Sequence, residues 1–112
     1  MRVVKTDFEG PGFVLRTLLS LVSQGNGPLE FGTVTFPRGY RHPRDCMSVH
    51  DRDEISLVLR GRLVIECGRE KTEITVGEVV YIPAGEAHVA EALEESHIYF
   101  ALVGALAATE NE

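Results

Sequence analysis

The residues of this sequence best suited to chemistry are His50 and Glu54, a nitrogen and an oxygen donor separated by three residues. They lead into Ile55-Ser56-Leu57-Val58-Leu59-Arg60-Gly61, an alternating apolar run that stops at a glycine, which predicts a strand ending in a turn. A second stretch answers the first. Val79 to Ile82 is apolar, Pro83-Ala84-Gly85 reads as a turn, and His88 stands three residues past the turn glycine. Two strands that each bring a ligand-type side chain to a turn can build one site.

The elements needed to hold such a site are strands. Residues 13–23 are strongly apolar and lie between Gly10-Pro11-Gly12 and Gly25-Asn26-Gly27-Pro28; without a helix cap they read as a strand. Residues 29–36 follow as a strand ended by Pro37 and Gly39, and 40–44 read as a loop. Short strands are then expected at 46–50, 54–60, 63–67, 73–76, 79–82, 88–91 and 97–103, about ten residues apart. This spacing, with no convincing helix, predicts an all-β sandwich or barrel.

The chain has 112 residues, 44% hydrophobic and 25% charged, which suits one globular domain over residues 1–112. Residues 105–112, small and acidic, read as a frayed tail. A formal charge of −6 argues against a nucleic-acid partner. There is no apolar run long enough to span a membrane, and the first residues lack the apolar core of a signal peptide, so a cytoplasmic location is expected. Cys46 and Cys67 are accordingly expected as free thiols.

Side chains alternate across a strand, so Cys46, Ser48 and His50 share one face, as do Glu54, Ser56 and Val58. With Glu54 facing inward, Ile55, Leu57 and Leu59 face outward as an apolar patch. A second subunit is the expected cover, making a homodimer; the alternative is the N-terminal strand of the same chain. A hairpin with its loop at 93–96 would set Ala92 opposite His97 and turn His97 inward beside His88. Tyr81 and Tyr99 are candidates for the cavity wall. His42, next to Pro43, reads as an exposed loop residue, and Asp51-Arg52-Asp53 as a solvated turn.

These stretches resemble the two motifs of the cupin family. The first motif is matched by His50, Glu54 and Gly61, and the second by Gly77, Pro83, Gly85 and His88, all in register. The match covers about residues 39–92. The resemblance implies a double-stranded β-helix, or jelly-roll, barrel related to RmlC-like proteins. It also implies a divalent metal on His50, Glu54 and His88, with iron, manganese, zinc and nickel all compatible. Two departures stand out: Ser48 replaces the first histidine of the family pattern and Ala92 its final asparagine. A Ser48 hydroxyl could hold a metal-bound water, and His42, Cys46 or His97 could serve as a substitute fourth ligand.

Three functional readings follow from the resemblance. One is a small metal-dependent enzyme, oxygenase-like or isomerase/lyase-like, acting on a small organic molecule. The second is a small-molecule sensing or binding module without turnover, since the run from Glu54 to Gly61 also resembles the ligand-sensing domain of arabinose-responsive-type regulators. No helix-turn-helix segment follows it here, so this reading is a stand-alone sensor or a barrel with a separate partner protein. The third is a metal-free epimerase with His88 as base and Tyr99 as acid. Whether the protein turns over a substrate, and which, stays open at this level.

Overall fold

The computed structural model describes residues 1–23 and 27–104, and the expected tail at 105–112 lies outside them. Among the described residues, nine strands follow in order: β1 (Val14–Ser23), β2 (Gly27–Phe36), β3 (Arg41–His42), β4 (Asp53–Arg60), β5 (Arg62–Cys67), β6 (Glu70–Thr75), β7 (Val79–Ile82), β8 (His88–Ala92) and β9 (Ser96–Val103). They form a five-stranded sheet, β1-β2-β9-β4-β7, and a four-stranded sheet, β3-β8-β5-β6. Every pairing is antiparallel. The all-β jelly-roll expectation is met. Phe36, Val58, Leu63, Ile65, Ile98 and Phe100 belong to the apolar core between the sheets.

The strand that carries Glu54 alternates as its sequence requires. In β4, Ser56 and Val58 are 6% and 1% exposed, whereas Ile55, Leu57 and Leu59 are 42%, 36% and 45% exposed. Gly61 then turns the chain into β5 with φ of +92°, and a Cβ there would collide with the Glu95 carbonyl and the Ser96 hydroxyl. Only glycine fits both constraints.

Several boundaries differ from the expectation. Residues 46–50 form no strand; a single bridge joins Ser48 to His88. The expected loop at 40–44 contains the short β3, paired through Arg41 and His42 with Glu91 and Ala90. The β6 strand starts at Glu70, three residues early, because it lies at the sheet edge, where exposed charged side chains are tolerated and discourage further pairing.

The largest correction concerns β8 and β9. They are not a hairpin: β8 pairs with β3 and β5, β9 with β2 and β4. Ala92 therefore lies opposite Leu63, and His97 opposite Thr35 and Arg60. Ser96, Ile98 and Phe100 are buried, so the alternate residues His97 and Tyr99 point away from the core. They pack beneath an N-terminal strap instead. Phe8 stacks on His97 at 4.6 Å and meets Tyr99 edge-on at 5.4 Å, while the Thr35 hydroxyl donates to the Phe8 carbonyl at 2.8 Å.

That strap covers the β2–β9 half of the outer face. Leu57, Ile55 and Leu59, with Val79 and Tyr81 of β7, stay uncovered among the described residues. The N-terminal strand β1 pairs beside β2, at the far end of the sheet from β7, so the within-chain cover is ruled out for the described residues. Both cysteines are free, Cys46 exposed and Cys67 half-buried. Among the described residues, no helix is long and apolar enough to cross a membrane.

Candidate functional site

The two chemistry-bearing stretches meet because their backbones are laced together. The Ser48 amide donates to the His88 carbonyl at 2.8 Å and the His88 amide to the Ser48 carbonyl at 2.9 Å. The Gly85 amide donates to the His50 carbonyl at 2.8 Å. Gly85, with φ of +85°, lets the Pro83 turn bend back to make that bond. From β4, the Asp53 carboxylate accepts the Ala84 amide at 2.9 Å. Next to it, Arg52 pairs with Glu30 of β2 at 3.0 Å. The expected solvated turn is thus a set of tethers that ties β4 to the second motif and to β2.

His50, Glu54 and His88 converge as a result. One potential ligand atom from each lies within 4.8 Å of the other two. Glu54 Oε1 is 3.4 Å from His88 Nε2 and 3.6 Å from His50 Nε2. The imidazole rings stand 5.1 Å apart at 49°. Two of the three donors are also oriented from behind. His88 Nδ1 lies 3.0 Å from the Glu86 carbonyl, so an Nδ1–H donating there leaves Nε2 for the cluster. The Ser56 hydroxyl donates to Glu54 Oε2 at 3.1 Å, leaving Oε1 toward the histidines.

The electrostatics fit that picture. Burial pushes the Glu54 carboxyl upward, but His88, Ser56 and His50 together outweigh it, and its pKa falls below the ordinary value. The Glu54 carboxylate holds the His88 imidazole above its ordinary pKa, helped by Glu86 and opposed by burial. Burial lowers the pKa of His42, with His50 and His88 adding to the effect and Glu54 opposing it.

These residues line one cavity of about 130 Å³. Its polar lining is His42, Ser48, His50, Glu54, Ser56 and His88. His42 is therefore no exposed loop residue: it reaches the cavity from β3 and stacks on Phe13 at 4.7 Å. It does not belong to the set within 4.8 Å. Cys46 is exposed and off the cavity. His97 and Tyr99 face the strap, and Tyr81 is 57% exposed, so none of the three lines the cavity. The turning of Tyr99 to the outside removes the acid that the epimerase reading needs.

Sequence reasoning saw Ser56 on the inner face of its strand but not its hold on Glu54. The two-residue spacing was the available signal. Nothing local announced that Arg52 and Asp53 would be tethers, because their partners are distant in the sequence.

A two-sheet antiparallel barrel with a His/Glu/His cluster in its cavity defines a jelly-roll protein with a possible metal site. Residues 32–104 match the family described as the cupin domain, and the chain belongs to that family. Solved structures share the fold. An RmlC-like cupin family protein with a double-stranded β-helix from Methanocaldococcus jannaschii has a TM-score of 0.77 at 11% identity, covering 93% of this chain and 91% of that one. KdgF from Halomonas sp. has a TM-score of 0.71 at 24% identity, covering 89% and 87%. An uncharacterised Streptomyces coelicolor protein is 46% identical over 44 residues, 39% of this chain and 42% of that relative's length.

Proposed function

We propose that this cupin holds a divalent metal through His50, Glu54 and His88 and binds or transforms a small organic molecule beside it. The observation that carries the reading is the meeting of two imidazole nitrogens and one carboxylate oxygen within 4.8 Å. Ligands about 2.1 Å from one ion stand roughly 3.0–3.4 Å apart at tetrahedral or octahedral angles. The spacings of 3.4 and 3.6 Å from Glu54 Oε1 need little adjustment to meet that. Two imidazoles and one carboxylate suit iron, manganese, zinc or nickel.

An ion held there would polarise an oxygen of the bound molecule or, if iron, activate dioxygen, which are the oxygenase and isomerase forms of the reading. The chain's own residues do the rest. Glu86 and Ser56 fix the orientation of His88 and Glu54, the apolar walls exclude water, and Ser48 and His42 offer further polar groups beside the cluster. His42 and Ser48 are the substitute donors that geometry favours over Cys46 and His97.

Elemental analysis and calorimetric titration of Mn²⁺ and Zn²⁺ into protein purified without chelators test the reading. One ion per chain, lost in His88→Ala, is expected; a wild-type chain that binds neither ion overturns it. The second reading is a binding or sensing module without turnover. Ser48 favours it, standing where the family pattern has a histidine. In either case the reading is of a cytoplasmic single-domain homodimer, supported by the uncovered apolar face of β4 and β7, with neither nucleic acid nor membrane as partner.

A further inference from the structure

We infer that the cavity takes an uncharged, largely hydrocarbon molecule of about one-ring size, its oxygen-bearing end toward His50, Glu54 and His88; the placing of that end rests on the proposed function. Size sets the first limit. A cavity of about 130 Å³ is well below the roughly 300–1,000 Å³ of pockets for drug-sized ligands. It is close to the roughly 150 Å³ apolar cavity known to admit benzene.

Charge sets the second limit. No lysine or arginine is among the described residues that line the cavity. Three basic side chains outside the lining are engaged elsewhere: Arg52 with Glu30 at 3.0 Å, Arg41 with Glu91 at 3.8 Å, and Arg44 over the Tyr40 ring at 5.9 Å. Among the described residues that line the cavity the one carboxylate is Glu54, and its Oε1 already faces the His88 and His50 rings at 3.4 and 3.6 Å. A carboxylate or phosphate on the body of a ligand would be stripped of water with no cation to meet it.

The walls supply the positive side of the argument. Val34, Phe36, Ile65, Ile98 and Phe100 present only carbon to the ligand. The polar groups gather on His42, β4, the 48–50 segment and the start of β8, so a molecule with one polar end and a hydrocarbon body matches the lining. Sugars, with hydroxyls all round, and nucleotides, with phosphates, do not.

A matched pair of probes tests this: 4-methylcatechol and 3,4-dihydroxybenzoate, which share the oxygen-bearing end and differ in a methyl or a carboxylate at the other. Calorimetric titration into the full chain, with Mn²⁺ present and again after chelation, is expected to show 4-methylcatechol binding at least 10-fold more tightly in both. Binding of the two within 3-fold, a preference for the carboxylate, or no binding of either overturns the inference, whatever Mn²⁺ does. A chain that binds neither Mn²⁺ nor Zn²⁺ yet keeps the preference overturns the proposed function and leaves the cavity inference standing. Ala90 lines the cavity, and Ala90→Leu, which fills it without altering a donor, is expected to weaken 4-methylcatechol at least 10-fold while Mn²⁺ titrates as in the wild type. Undiminished binding in that variant also overturns the inference.

Discussion

The two faces of β4 are built from neighbouring residues and do opposite things. Inward, Glu54 and Ser56 contribute the carboxylate and its hydroxyl anchor, and Val58 closes the core behind them. Outward, Ile55, Leu57 and Leu59 stay uncovered, while on β2 and β9 of the same sheet the strap at residues 6–8 packs over the outer face. A strand two-faced in this way couples a polar site to an apolar surface through the backbone alone. The inner face is committed within the chain; the outer one stays uncovered among the described residues.

The contrast can be broken from either side, and the inner face should yield the largest effect. Glu54→Ala removes the only carboxylate of the cluster, and Mn²⁺ affinity by calorimetry is expected to fall by at least about 100-fold. Circular dichroism should remain that of a β protein. On the outer face, Leu57→Asp places a charge in the apolar patch and is expected to shift a dimer to a monomer in sedimentation velocity, with Mn²⁺ binding within about 3-fold of the wild type. A monomeric wild type would show that the outer face serves no self-association.

Smaller changes sharpen the comparison. Ser56→Ala frees Glu54 Oε2 and should weaken Mn²⁺ by about 10-fold, with no effect on sedimentation. The smallest effect is that of pH on the metal-free chain. Glu54, with its depressed pKa, contributes stability above its unfolded value of about 4.3, and that contribution is lost as pH falls through the folded value. His88, with its raised pKa, contributes below its unfolded value of about 6.5 and loses the contribution as pH rises through the folded value. The urea midpoint should therefore pass through a broad maximum between about pH 4.5 and 6.5 and decline on either side, the decline on the alkaline side being lost in His88→Gln. Metal affinity runs the other way and climbs as His88 gives up its proton.

Most of this was legible in the sequence where the signal was local. The alternation in 54–60, the glycine at 61 and the Pro83–Gly85 turn fixed which side of β4 faces in and where each motif ends. Pairing between distant segments was not legible. Leu93 to Ser96 looks like a hairpin loop, yet the chain uses it to cross between sheets, and that one choice sends His97 and Tyr99 to the outside. His42 was misjudged for the same reason. Only its pairing with Ala90 turns a proline-flanked loop residue into part of the cavity wall.

The reciprocal hydrogen bonds between Ser48 and His88 have a thermodynamic corollary. On the proposed metal reading, an unfolded chain would have to close a long loop to gather the same donors and would chelate poorly, so occupancy and native structure would form one linked equilibrium. Raising the concentration of a tightly bound ion should then lift the melting temperature steadily, with the ion serving as a removable rivet between the two sheets.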